Sequence, residues 1–520
     1  MNKTAIKNFA IQSRKDLILG VSQKAFELGI TKDKIESNTI TSSDAFVVHS
    51  QVLSSSQQKQ RNDLLNQIKH KGYDQVIEEV AYTWFNRFIA LRYMEVNGYL
   101  PSKIRVFSNH ENKFKPEILD QALHVSFEGV QKEKVIEYLD KSDDEGLYKY
   151  LLIAQCNDMN QYLPEMFEKI GNYTEILLPD GLLKSSGVLA NMIDSIAEEN
   201  FQDQVEIIGW LYQYYNSEIK DKVINIYKGV VKKNDIPAAT QLFTTDWVVR
   251  YMVDNSLGKY WIERNPNSQL KSKLKYYMPY DPIVINEEVQ PVDLKVFDPC
   301  MGSGHILVYA FDVLLEIYVE RGYTTREAAN LIVKHNLYGL DIDERAFQLA
   351  YFAVMMKARK YNRRILEENI SNNLSSIIEG DAIERFEDFA NQLNLDSISI
   401  KEANDLISLF RNAKEYGSLI DVKGVNLSII EQLINQHNMM QNDLFLSSWK
   451  ESTFKTLNQL LKQAKILSNQ YQAVVTNPPY LNKMDAKLKT YVQKHYKEYS
   501  TDLFSVFMYR TFGFCTKVGF

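Results

Sequence analysis

Asn477-Pro478-Pro479-Tyr480 ends the apolar run Tyr471-Gln-Ala-Val-Val-Thr476, which reads as a buried parallel strand closed by a turn. Two prolines there fix the backbone, so that a main-chain carbonyl and the Asn477 amide can point into a pocket. Tyr480 offers a flat face to a flat substrate. The combination suits methyl transfer to an exocyclic amino group on a base. A strand-ending turn with an incidental aromatic is the competing reading of these four residues taken alone.

Three further strand ends carry polar groups of the right kind. In Val296-Phe-Asp298-Pro-Cys-Met-Gly302-Ser-Gly304-His305 a strand ends in a carboxylate, a tight glycine turn follows and a helix begins, the place where open α/β sheets bind ligands. Gly302 and Gly304 let the backbone approach a ligand closely, and Asp298 can face a cationic ammonium group. The spacing departs from a dinucleotide fingerprint, because Ile306-Leu307 follow His305. An acid beside the loop disfavours a pyrophosphate and favours an amino acid-like moiety. His305 is expected only to start the helix. In Tyr338-Gly-Leu-Asp341-Ile342-Asp343-Glu344, Asp341 is placed to accept from a ribose diol, Ile342 to pack on an adenine face and Asp343 to cap the next helix. Asp381, in Ile378-Glu-Gly-Asp381, could accept from an adenine amino group. Plain turn and cap roles compete at each position; the order of the four strand ends is the stronger signal.

The elements that must position these residues are strands alternating with helices from about 238 onward, the pattern of a parallel α/β sheet. Strands are expected at 294–298, 337–341, 375–380, 473–477 and 515–520, and helices at 303–320 and 344–361. A polar insertion over about 383–470 is too long for an ordinary connection and reads as a helical subdomain. Residues 1–237 read almost entirely as helices, including an apolar-periodic stretch from Tyr73 to Asn97 with Gly98 as its cap. A Lys-rich segment at 228–237 marks the joint. The start of a fifth strand with nothing after it suggests a C-terminally incomplete sheet, the front part of a longer design.

Composition limits the partners. A net charge of −6 over 520 residues means that any nucleic acid must be met by local basic patches, since the whole-molecule field repels phosphate. Cys156, Cys300 and Cys515 fit no zinc or disulfide spacing, so no metal site is expected and a reduced, cytoplasmic setting is the simplest reading. No segment is long and apolar enough to span a bilayer, and no membrane partner is expected.

Taken together, residues 238–520 resemble the S-adenosylmethionine-dependent amino-methyltransferases, specifically the DNA adenine-N6 class. The resemblance implies a Rossmann-like methyltransferase domain, S-adenosylmethionine as cofactor and double-stranded DNA as substrate. It also implies that Phe243 and Thr244, in Ala239-Thr-Gln-Leu-Phe243-Thr244-Thr245, contact the cofactor's methionine end, with Thr245 standing where that family has proline. Asp502-Leu503-Phe504 matches a motif lining the target pocket, with Asp502 and Phe504 as its candidates. The stretch Thr83-Trp-Phe-Asn-Arg-Phe-Ile-Ala-Leu-Arg-Tyr-Met-Glu95 is similar to the adenine methyltransferases of bacterial BREX phage-defence systems, the PglX family, whose members are much longer. That similarity implies other defence proteins as possible partners. Three rivals compete: a type IIG-like restriction–modification enzyme, for which Glu218-Ile-Lys220 is the nearest nuclease triplet; a protein glutamine methyltransferase, which shares the tetrapeptide; and a cofactor-binding scaffold without activity.

Overall fold

The computed structural model describes residues 2–520 apart from 37–38, 41–45, 49–50, 169–172, 219, 221–230, 232–235, 237–243, 279–282, 384–385, 387–389, 391–394 and 441–447. The chain divides into two compact units, Met1–Glu218 and Ile219–Phe520. The predicted joint at 228–237 lies almost wholly outside the described residues.

The first unit is mainly helical, around α1 (Lys3–Glu27) and α2 (Tyr73–Val96). One feature departs from the all-helical expectation: a short antiparallel meander, β1 (Thr39–Ile40), β2 (Phe46–Val48) and β3 (Gln51–Leu53). Its strands are two or three residues long, too short for an alternating pattern to register. Helix α2 is buried on nearly every side. Glu95 organises the turn after it: one carboxylate oxygen takes the Val106 and Phe107 amides at 2.6 and 2.8 Å, the other takes Arg92 Nη1 and Ser108 Oγ at 2.6 and 2.7 Å. The Thr83–Glu95 stretch is therefore a core element, with Arg92 and Glu95 fully buried as a pair.

The second unit is built on a parallel sheet of β4 (Val296–Asp298), β5 (Leu337–Asp341), β6 (Asn373–Ser376) and β7 (Ala473–Val474), in the spatial order β6-β5-β4-β7. Three successive strands run to one side and the fourth returns to the other side of β4, so the strand order reverses between β4 and β7. Helices α3 (His305–Glu320) and α4 (Glu344–Tyr361) follow β4 and β5 as expected.

Of the five expected strands only 337–341 keeps its full length; 294–298 and 473–477 are shortened to 296–298 and 473–474, and two others end early for a visible reason. Past β6 the Ile378 amide and carbonyl are taken by the side-chain amide of buried Gln463, at 2.9 and 3.1 Å, which ends the ladder early. The 515–520 segment forms a single parallel bridge, Tyr471 to Cys515. A turn from Thr516 to Gly519 then lifts the chain out of register before Phe520 exchanges backbone hydrogen bonds with Val474 and Gln472. The insertion is helical, with α5 (Ser397–Leu409), α6 (Leu427–Met440) and α7 (Ser448–Ser468). Its apolar residues, among them Leu406, Ile430, Leu457 and Leu460, share one core with Phe297 and Leu340 of the sheet. Rather than standing apart, the insertion covers one sheet face.

Candidate active site

The sheet brings the carboxyl ends of β4, β5 and β7 together at the reversal of strand order, where open α/β sheets leave a crevice. After β4 the chain turns at Gly302 (φ +52°) and Gly304 (φ +82°), both in the left-handed region that side chains disfavour. Their environments differ. A Cβ on Gly304 would lie 2.9 Å from the Ala350 Cα, so close packing of loop on helix requires glycine there. A Cβ on Gly302 would meet no atom within 4 Å: it faces open space at the crevice.

A buried carboxyl, Asp298, and a half-buried one, Asp341, flank that space. Asp298 accepts from the Cys300 amide at 3.1 Å. Asp341 receives the Gly302 amide at 2.9 Å on one oxygen and the Asp343 amide at 2.8 Å on the other, which ties the glycine loop to β5. Burial raises both to about 7, and negative neighbours add to it: Asp341 for Asp298, Asp343 for Asp341. Among the described residues neither has a cationic partner. The Ile342 amide is a third backbone donor to Asp341, which leaves about one of the carboxylate's roughly four acceptor positions open. A cationic ligand carrying a hydroxyl fits this arrangement: it would neutralise the carboxyls and take that acceptor. Asp343 caps α4 through the Arg345 amide at 3.0 Å, as expected.

At the end of β7, Asn477 donates Nδ2 to the Thr244 hydroxyl at 3.1 Å. That bond fixes the amide plane and leaves Oδ1 the acceptor role. The Thr244 carbonyl accepts from His305 Nδ1–H at 3.0 Å. Thr244 thus joins the first turn of α3 to the Asn-Pro-Pro-Tyr turn; His305 starts α3, as expected, and its ring also reaches Thr244. Pro478 is buried and Pro479 partly so. Phe243 lies outside the described residues.

Tyr480 is 54% exposed and stacks on Phe504, with ring centroids 5.2 Å apart and planes 15° from parallel. Two residues 24 apart in sequence so form one aromatic platform beside Asn477. Asp502 caps the helix α9 (Leu503–Phe512) through the Phe504 amide at 2.8 Å, while Leu503 N–H reaches the Leu481 carbonyl. Ile342 is partly buried against the insertion, and the Asp381 carboxylate is exposed, 3.8 Å from Arg411. The nuclease triplet finds no support: Glu218 has helical backbone and pairs with Lys15 at 2.7 Å. No described helix is long and apolar enough to cross a membrane.

A parallel sheet with an acidic, glycine-turned crevice and an Asn-Pro-Pro-Tyr strand end defines a class, and family comparisons agree with it. Residues 257–387 match the N-6 DNA Methylase family and residues 335–520 the Eco57I restriction-modification methylase family. Over 98% of its length the chain is 39% identical to the adenine-specific methyltransferase PglX of Lacticaseibacillus casei, covering 45% of that protein. Over its full length it is 37% identical to the adenine-specific methyltransferase BrxX of Escherichia coli, covering 46%. The chain is similar to these adenine-specific methyltransferases from end to end and spans about half the length of the curated relatives it matches. Among solved structures, overlap with a DrdV–DNA complex is weak, at 10% identity and a TM-score of 0.33 over 98% of this chain and 48% of that one.

Proposed function

We propose that the chain carries the catalytic part of a DNA methyltransferase that moves a methyl group from S-adenosylmethionine to adenine N6, as the modification component of a phage-defence system. The observation that carries this reading is the meeting of two halves at the carboxyl ends of the strands: cation-seeking Asp298 and Asp341 beside open space at Gly302, and Asn477 with its stacked Tyr480–Phe504 pair next door. In this reading the sheet is Rossmann-like.

Asp298 faces the cofactor's ammonium group, Asp341 accepts from a hydroxyl of its ribose, and Ile342 and Asp381 meet its adenine. Thr244 borders its methionine end. When bound, S-adenosylmethionine supplies an electrophilic methyl on a sulfonium. The target N6 lone pair is delocalised into the adenine ring and is a poor nucleophile. Asn477 Oδ1 and the Pro478 carbonyl each accept one N6–H bond, which localises the lone pair and aims it. Neither is a strong base, so the proton leaves to water after transfer. Inside a duplex N6 is out of reach; the base must be flipped out, and the Tyr480–Phe504 platform is open to stack on it. Such stacking is worth roughly 1–3 kcal/mol per base.

Incubation with labelled S-adenosylmethionine and duplex DNA, followed by nucleoside digestion and mass spectrometry, tests the proposal. N6-methyl-2′-deoxyadenosine carrying the label is expected. Label on protein glutamine, or none on DNA, would reject it.

A further inference from the structure

The insertion has a part in the site that its sequence did not disclose. Between α5 and α6 it sends the turn Tyr416-Gly417-Ser418-Leu419-Ile420 to the crevice. Gly417 adopts φ +56° and ψ −142°, a region open to glycine, and its Cβ position lies 3.3 Å from Ile342 at the end of β5. The Ser418 hydroxyl, 1% exposed with its residue, donates to the Pro299 carbonyl at 2.6 Å, inside the glycine loop. These two contacts are on the cofactor side.

The next two carbonyls are held from the target side. Leu419 accepts from the Tyr496 hydroxyl at 2.6 Å and from Tyr491 at 3.4 Å; both tyrosines follow Asn-Pro-Pro-Tyr, on or just after α8 (Ala486–His495). Ile420 accepts from Arg510 of α9 at 2.9 Å, the same helix that presents Phe504 to Tyr480. Tyr416 stacks on Tyr491 at 4.1 Å and 11°. Leu419 is buried in one apolar cluster with Leu481, Leu488, Leu503 and Val506. Five consecutive residues therefore fasten the glycine loop to the elements that carry the base platform.

We infer that the 416–420 turn is a positioning joint that couples cofactor binding to the target-base pocket, so that Ser418 and Tyr496 act through the turn without touching either ligand. The inference rests on the methyltransferase reading. A turn whose buried Ser418 hydroxyl and Leu419 and Ile420 carbonyls are all bonded shifts as one piece, because an unpaired buried carbonyl or hydroxyl is costly on either side. A displacement of Pro299 is then felt at Tyr496 and the reverse.

The test is a double-mutant cycle on S-adenosylmethionine affinity, measured by calorimetry on the full chain for wild type, Ser418→Ala, Tyr496→Phe and the double variant, with melting curves for each. Ser418→Ala should weaken affinity by roughly three- to tenfold, the scale of one lost hydrogen bond. Tyr496→Phe, a change on the target side, should weaken it comparably, and the double variant should be no worse than the weaker single. Unchanged affinity in Tyr496→Phe, with wild type binding, would overturn the joint while leaving the proposed function intact. Multiplied losses in the double variant would also overturn it, since independent effects add in free energy. Absence of binding by a folded wild type would overturn the functional reading and the joint together. Tyr496→Phe keeps the ring in its cluster, so it reports on the hydroxyl if Ser418→Ala melts early.

Discussion

Asp298 and Asp341 are the residues whose physical state is most informative. Both are raised to about 7 by burial, and the sign of the consequence can be worked out. An Asp raised in the folded state holds a proton there that the unfolded chain has lost above pH 4. The stability it contributes is full below about pH 4 and is lost as pH rises through about 7. The unliganded protein should lose thermal stability between pH 5 and 8, and a cationic ligand should offset that loss. Because the ligand binds the ionised form, S-adenosylmethionine affinity should rise about tenfold between pH 6 and 8 for each carboxyl that must ionise. Calorimetry across that range checks it; a flat profile would show that the carboxyls do not face the cofactor's cation. Thr244 supplies a second test. Thr244→Val removes the hydroxyl that holds the Asn477 amide and should lower the methylation rate constant by about tenfold, measured by single turnover, with Tyr480–Phe504 stacking untouched.

At the scale of elements, the glycine loop and the strand ends separate packing from ligand approach. Gly304→Ala forces a Cβ to 2.9 Å from Ala350 at φ +82°, and should cost about 1–3 kcal/mol on a denaturation curve. Gly302→Ala meets open space, so it should cost less stability and more cofactor affinity; the reverse ranking would argue against the crevice as the ligand site. Much of this framework could be read from sequence. The 337–341 strand and the 344–361 helix matched to the residue, the second with Asp343 as the cap that marks its start. The 375–380 and 515–520 strands were misjudged because Gln463 and the Thr516–Gly519 turn, both distant or local polar details, decide where pairing stops. The platform of Tyr480 and Phe504 was legible as two separate candidates, and the structure pairs them. What sequence could not reveal is tertiary: the Thr244–Asn477 bond spans 233 positions, and the 416–420 turn carries no motif of its own.

The whole molecule consists of two units, with every described candidate residue in the second. Glu95, by contrast, belongs to the first, where it forms a buried pair with Arg92 and closes the turn after α2. Glu95→Ala removes the nearer of the two carboxylates that Arg92 meets, leaving Glu198 at 3.2 Å, and strips the Val106 and Phe107 amides of their acceptor; it should cost about 3–5 kcal/mol in the unfolding of that unit. S-adenosylmethionine affinity should stay within about twofold, because the sheet and its crevice have their own core. The similarity to the PglX and BrxX relatives runs across both units, over 98–100% of the chain.

The most direct test of the central claim sets Asn477→Ala against wild type in one experiment, with S-adenosylmethionine affinity by calorimetry and labelled-methyl transfer to adenine N6 in duplex DNA read in parallel. Asn477 lies at the target side of the site and its oxygen is the proposed acceptor for N6–H. The account therefore predicts equal cofactor affinity, within about twofold, and a loss of transfer of at least about a hundredfold. Transfer by Asn477→Ala at the wild-type rate would contradict it.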